Sequence, residues 1–231
     1  MPDAEHLRQG LITYLLLVIS ITVHEWAHAF FADRLGDGTP ASQGRVTLNP
    51  LAHLDPIGTG LIPLVNLFVL GGSFTLIGWG RPVQINLGNF PPKRRMACDL
   101  IVTAAGPVSN LVIALLCVPL ASVLWHFDPR LLEVLGRLLL MNLSLAVFNM
   151  VPIPPLDGSH FLRYAVGMGE ETYRRLCAYG PIILLACINF VPQFNRLITV
   201  AMIWTSKPYG WLCHLLNAEV AAQMFPWLRL N

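Results

Sequence analysis

The chain has 231 residues, of which 55% are hydrophobic and 12% charged, with a formal net charge of +2. Soluble domains carry charged residues at about a quarter of their positions, so this composition excludes an ordinary water-soluble fold and leaves the bilayer as the natural solvent. So small and scattered a charge also excludes a nucleic-acid-binding surface.

A helix crosses a hydrocarbon core with about 20 largely apolar residues, and charge-free runs of that order recur along the chain. The first, 9–32 (QGLITYLLLVISITVHEWAHAFFA), is uncharged except for the HEWAH cluster near its end. No small-residue cleavage pattern follows it, so the run is expected to stay in the mature protein. On a helix, His24 and His28 lie one turn apart on one face with Glu25 beside them, the HExxH pattern of zinc-binding helices. Two imidazoles and a carboxylate cost several kcal/mol to bury in hydrocarbon, and such groups mark functional sites. The alternative is a set of hydrogen bonds to neighbouring helices. Trp26 and Phe30 read as packing residues.

The second run, 57–80, is broken by Pro63, Gly71, Gly72 and Gly78. The third, 100–125, is long enough for a full span and carries AAGPVSN near its start. Small residues there let helices approach closely, and Asn110 could hold an oxyanion or a substrate backbone, with interhelical hydrogen bonding as the alternative. The fourth begins near Leu131, is uncharged over 138–156 and stops at Asp157. Two histidines supply half of a tetrahedral zinc shell, and a catalytic site takes three protein ligands plus water; Asp157, ending NMVPIPPLDG, qualifies as the third. Pro152, Pro154 and Pro155 stop a regular helix, so extended backbone is expected there, with a plain PPLDG turn as the alternative. The fifth run, 176–195, is interrupted near Pro181 and Pro192, and the tail from Leu197 is too irregular to assign. The five cysteines form no CxxC and read as small buried hydrophobes.

Together these pieces resemble the site-2 protease family of intramembrane zinc metalloproteases, over about residues 11–158. HEWAH matches its HExxH, AAGPVSN its GP-containing helix with a downstream Asn, and NMVPIPPLDG its N-x-x-P-x-P-x-L-D-G. RVTLNPLAHLDPIGT (45–59) and GWGRPVQIN (78–86) further resemble the compact bacterial and archaeal subgroup without PDZ or CBS domains. The HEWAH helix is the first apolar run here, whereas many relatives carry another before it. The resemblance implies one Zn2+ held by His24, His28 and Asp157, Glu25 as base, and cleavage of membrane-spanning regulatory proteins. His53 and Asn149 fall on the matching motifs and join Asn110 as substrate or oxyanion candidates. His160 has no role and reads as a surface or interface histidine.

The expected fold is therefore an all-α polytopic membrane protein, a single domain over 1–231 with about four to six membrane segments. Shared depth for His24 and Asp157 requires that 57–80 return to the side it left, as a re-entrant segment. That threading puts Arg34, Arg45, Arg81, Lys93, Arg94, Arg95, Arg163, Arg174 and Arg175 on one face, against Arg8, Arg130, Arg196, Lys207 and Arg229 on the other if the fifth run crosses. The positive-inside rule then places the site nearer the cytoplasmic face of a prokaryotic cell membrane. Val83 and Ile85 alternate within 78–86 and suggest a short membrane-associated β element able to hold an unwound substrate by β-augmentation. A non-catalytic membrane metal protein or transporter is the competing class, but a transporter would spread polar ligands along a path over several spans.

Overall fold

The computed structural model describes residues 4–68 and 78–227. The described residues form an all-α polytopic membrane protein in two compact units, Met1–Cys98 and Asp99–Asn231. Among the described residues, three helical stretches are long and apolar enough to cross a membrane, Ala4–Leu35, Pro92–Leu124 and Arg130–Asn149, or up to four spans if a bent pair near the C-terminus counts as one. Three falls below the four to six segments expected from the sequence, and the lower bound is reached only when the bent pair is one span. The difference lies in the second run, whose described residues form a short apolar helix over Pro56–Val65, and in the bent pair.

In the first unit, α1 (Ala4–Leu35) has 32 residues, about 48 Å at the helical rise. Its protein-facing stripe runs through Leu17, Ser20, Ile21, His24, Ala27 and His28, all buried, while Leu11, Leu15, Ile19 and Phe31 on the other side are exposed. Lipid is as apolar as leucine, so a membrane helix can turn its polar residues inward and its aliphatic ones outward. The hydroxyls of Ser20 and Thr22 donate to the carbonyls of Leu16 and Val18 on their own helix. After α1 come a short α2 (Thr39–Ser42), loops, a π-helical turn over Pro56–Leu61 and α3 (Ile62–Phe68). Asp55 caps that turn by accepting from the backbone N–H groups of Ile57 and Gly58.

The two ends of the 57–80 run meet. Leu54 and Gly80 form an antiparallel bridge, and the Arg81 N–H donates to the His53 carbonyl at 2.8 Å. A chain that had crossed about 30 Å of hydrocarbon could not be paired backbone to backbone at both ends, so this segment comes back to where it left. The Gly71-Gly72 break invoked for that return lies outside the described residues. The expected β element is corrected: among the described residues no strand forms, and this bridge is isolated. The backbone of 78–86 is instead tied down by side chains, with Arg45 donating to the Arg81 carbonyl and Asp37 accepting from the Asn86 N–H. Those bonds occupy groups that a neighbouring strand would otherwise use.

The second unit holds most of α4 (Arg95–Leu124), then α5 (Pro129–Asn149), α6 (Gly158–Ala165), α7 (Glu170–Phe190), α8 (Pro192–Leu216) and α9 (Ala218–Met224). Its core joins Ala114, Cys117, Val118 and Ala121 of α4 to Leu132, Leu139 and Leu143 of α5, Cys213 of α8, and Val220, Ala221 and Met224 of α9. Of the two prolines expected to interrupt the fifth run, Pro181 sits inside α7 and Pro192 makes the break, where α7 and α8 bend by 90°. Val191, before a proline, leaves the helical region (φ −117°, ψ 90°). Pro192 starts α8, where its missing N–H is no loss. All five cysteines are free thiols.

Candidate metal centre

On α1, His24 and His28 are 7% and 8% exposed and their rings meet edge to face, with centroids 4.7 Å apart. The two Nε2 atoms are 3.1 Å apart. Two imidazoles on one tetrahedral zinc, each with a bond of about 2.0–2.1 Å, present nitrogens separated by about 3.3–3.4 Å. The pair thus aims the same ring atom of each residue at one point, near the spacing of a tetrahedral edge. An imidazole-to-imidazole hydrogen bond also fits 3.1 Å, and metal analysis separates the two. The residues fit the ion in donor type and burial.

Glu25 follows His24 and projects to the adjacent face. Its side chain is 12% exposed and lies 3.9 Å from the Arg45 guanidinium, itself nearly buried. Gly80 packs straight against it: a Cβ there would fall 2.6 Å from Ile21 and 3.1 Å from Glu25 Oε1. Arg45 also donates to the carbonyls of Ala52 and Arg81. One guanidinium therefore ties the carboxylate of HEWAH to both ends of the returning segment. The sequence reading used Arg45 only as a charge in the topology count; its place in the RVTLNP stretch is the signal that could have singled it out.

His53 is fully buried, with Nε2 2.7 Å from the Thr47 carbonyl. A carbonyl only accepts, so Nε2 carries the hydrogen and Nδ1 of the neutral ring is an acceptor. Burial pushes its pKa down and the Arg45 charge adds to that, against the Thr47 bond and Glu25.

In the second unit, α5 ends at Asn149, whose side chain donates to the Leu145 carbonyl of its own helix. The following segment is a series of turns rather than extended backbone, with the Leu156 N–H donating to the Ile153 carbonyl at 3.0 Å. The turn alternative is therefore the one realised. Asp157 stands immediately before α6, with helical φ −55° and ψ −42°, and is half-buried. Gly158 is obligatory beside it, because a Cβ would lie 2.1 Å from the Met150 carbonyl oxygen. Gly180 of α7 approaches the same turn, and its Cβ would lie 1.7 Å from the Pro154 oxygen. Asn110 and Asn142, both fully buried, join α4 to α5 by an amide hydrogen bond of 2.8 Å, and Asn142 donates on to the Leu138 carbonyl. Asp99, 2% exposed, accepts from His160 and Tyr164. Sequence reasoning passed it over, although a carboxylate heading a long apolar run was the available signal.

Comparison with known proteins adds an independent line. Residues 125–188 match the family model described as Peptidase family M50. The chain is 38% identical over 206 residues to "Putative zinc metalloprotease YwhC" of Bacillus subtilis (strain 168), covering 84% of this chain and 87% of that protein. It is 30% identical over 208 residues to "Putative zinc metalloprotease Rip2" of Mycolicibacterium smegmatis, covering 87% and 75%. It is 33% identical over 192 residues to the protein of the same name from Mycobacterium tuberculosis (strain ATCC 25618 / H37Rv), covering 81% and 70%. No solved structure matches the chain.

Proposed function

Because the chain belongs to peptidase family M50, the site-2-protease type of membrane zinc metalloprotease, we propose that it is an intramembrane endopeptidase that cleaves membrane-spanning protein substrates. The donor set assigned here from the sequence motifs is His24, His28 and Asp157, two imidazoles and one carboxylate, which suits one zinc with a coordination position left for catalysis. The observation that carries the reading is the His24–His28 pair, both rings buried on the protein-facing stripe of α1 with Nε2 atoms 3.1 Å apart and Glu25 beside them.

When bound, zinc brings a water toward a pKa of about 7 and polarises the scissile carbonyl. Glu25 takes the proton from the attacking water and returns it to the leaving amine. Arg45, 3.9 Å from the Glu25 carboxylate, keeps that group oriented for both transfers. The substrate must be locally unwound first, since carbonyls inside an intact helix are already hydrogen-bonded and shielded. The distribution of Lys and Arg supports a site nearer the cytoplasmic face.

The test combines metal analysis of the purified protein with cleavage of a model membrane-spanning substrate. Glu25→Gln is expected to keep zinc and lose cleavage, whereas His24→Ala and Asp157→Asn lose zinc as well. A chelator is expected to stop the wild-type reaction. Full cleavage by Glu25→Gln would refute the assigned base. Bound zinc with no cleavage by the wild type of any membrane-spanning substrate would favour the non-catalytic metal protein instead.

A further inference from the structure

The buried polar groups of the second unit converge on the short helix that follows Asp157, and we infer that Asp99, His160 and Tyr164 are positioning residues that set where the Asp157 carboxylate stands. The inference rests on the ligand role proposed above for Asp157. Helix α6 has eight residues, too few to be stable without outside contacts, and it begins directly after Asp157. Any movement of α6 therefore carries that carboxylate with it.

Two α6 side chains one turn apart reach the same atom. Oδ2 of Asp99 lies 3.1 Å from His160 Nδ1 and 2.7 Å from the Tyr164 hydroxyl. A carboxylate accepts, so both groups donate, and charge-assisted bonds of this kind are the stronger and more directional ones. A buried Asp99 is a weak source of stability, but two donors converging on one oxygen fix both the rotation and the height of α6 on α4.

The first turn of α6 is held separately. Ser159, 1% exposed, donates to the Leu156 carbonyl at 2.6 Å. Its single hydrogen being used there, the Tyr173 hydroxyl 2.7 Å away is the donor to Ser159. Arg163 lies over the rings of Tyr164 and Tyr173, at 5.5 and 5.1 Å. On the side of the turn, Gly158 and Gly180 leave no space for slippage against the carbonyls of Met150 and Pro154. Asp157 thus stands between a backbone-tight turn and a helix clamped by one carboxylate.

Groups that hydrogen-bond around metal ligands typically change metal affinity or activity by about 10- to 100-fold when removed. The experiment uses the full chain purified in detergent, with zinc affinity measured by competition against a chromogenic chelator and metal-free thermal stability measured in parallel. His160→Ala and Asp99→Leu are each expected to weaken zinc by about 10- to 100-fold. Combined, they are expected to cost little more than the larger single effect, because they remove one unit. His160→Asn, which keeps an N–H donor near the Nδ1 position, is expected to restore most of the affinity, a rescue that a general packing role would not produce. Should Asp99→Leu fail to fold, Tyr164→Phe, which removes one hydroxyl and leaves no cavity, carries the same expectation in smaller degree. Wild-type affinity in the His160 and Tyr164 variants, with Asp157→Asn weakened, would overturn the clamp alone. Wild-type affinity in Asp157→Asn would overturn the ligand role and this inference with it.

Discussion

Gly180→Ala tests how tightly α7 is seated on the turn before Asp157. The added methyl would lie 1.7 Å from the Pro154 oxygen, 2.4 Å from its carbonyl carbon and 3.0 Å from Pro155 Cδ. Real Cβ contacts stop near 3.0 Å, so helix or turn must separate by about 1.3 Å in a region packed to crystal-like density. The obstacle is backbone, which cannot rotate away as a side chain would. Overpacking of this kind costs about 1–3 kcal/mol, occasionally more. Pro154 is three residues before Asp157, and a shift of about 1 Å at a reacting geometry can cost about 100-fold in rate. Gly136→Ala is the matched control: it lies inside α5 with nothing within 4 Å of the new Cβ, so it should gain about 0.5–1 kcal/mol of helix stability. Thermal unfolding in detergent, zinc content and cleavage of a membrane-spanning substrate read the pair. If Gly180→Ala matched Gly136→Ala in all three, the close approach of α7 to this turn would be refuted.

Asp37 joins the end of α1 to the 86–89 turn by accepting from Thr39, the Asn86 N–H and Asn89. Burial pushes its pKa up, but these bonds outweigh that and hold it below 3.8. Its stabilising contribution is therefore present above the ordinary aspartate range and is lost as pH falls through the lowered value. Asp37→Asn, which turns an amide donor toward a backbone N–H, should cost about 1–3 kcal/mol near neutrality and flatten the acid limb of a stability profile; an unchanged acid limb would count against the assignment. Asn110→Leu and Asn142→Leu should each destabilise by more than their combination implies, with a coupling of about 0.6–2 kcal/mol in a double-mutant cycle. A loss of cleavage in Asn110→Leu beyond its loss of stability would instead reveal a substrate contact. Arg45→Lys cannot span the carbonyls of Ala52 and Arg81 with a single ammonium, and kcat/KM should fall at least about tenfold at unchanged zinc content. Undiminished turnover in that variant would remove Arg45 from the mechanism.

What could be read from the residues follows the range of each interaction. HEWAH declares its geometry because residues four apart on a helix are neighbours whatever the rest of the chain does, and the apolar runs declare spans because length and polarity decide membrane entry. The 57–80 run shows where that fails. Its composition resembles a crossing; its return was expected only from the shared depth that His24 and Asp157 need, and the Leu54–Gly80 bridge brings its ends together. The alternation of Val83 and Ile85 suggested a strand, but alternation is only permissive, and the neighbouring backbone that would complete a strand is replaced by Arg45 and Asp37 side chains.

From the sequence alone came the membrane as solvent, the two imidazoles on one face, the carboxylate beside them and the prolines that stop the helix ahead of Asp157. Tertiary structure alone decided that Arg45 meets Glu25, that Asn110 bonds to Asn142, and that Asp99 gathers His160 and Tyr164 from 61 and 65 positions further along. The reason is physical: periodicity and polarity are local properties that each residue carries with it. Which buried donor finds which buried acceptor depends on how the elements pack, and no spacing rule encodes that.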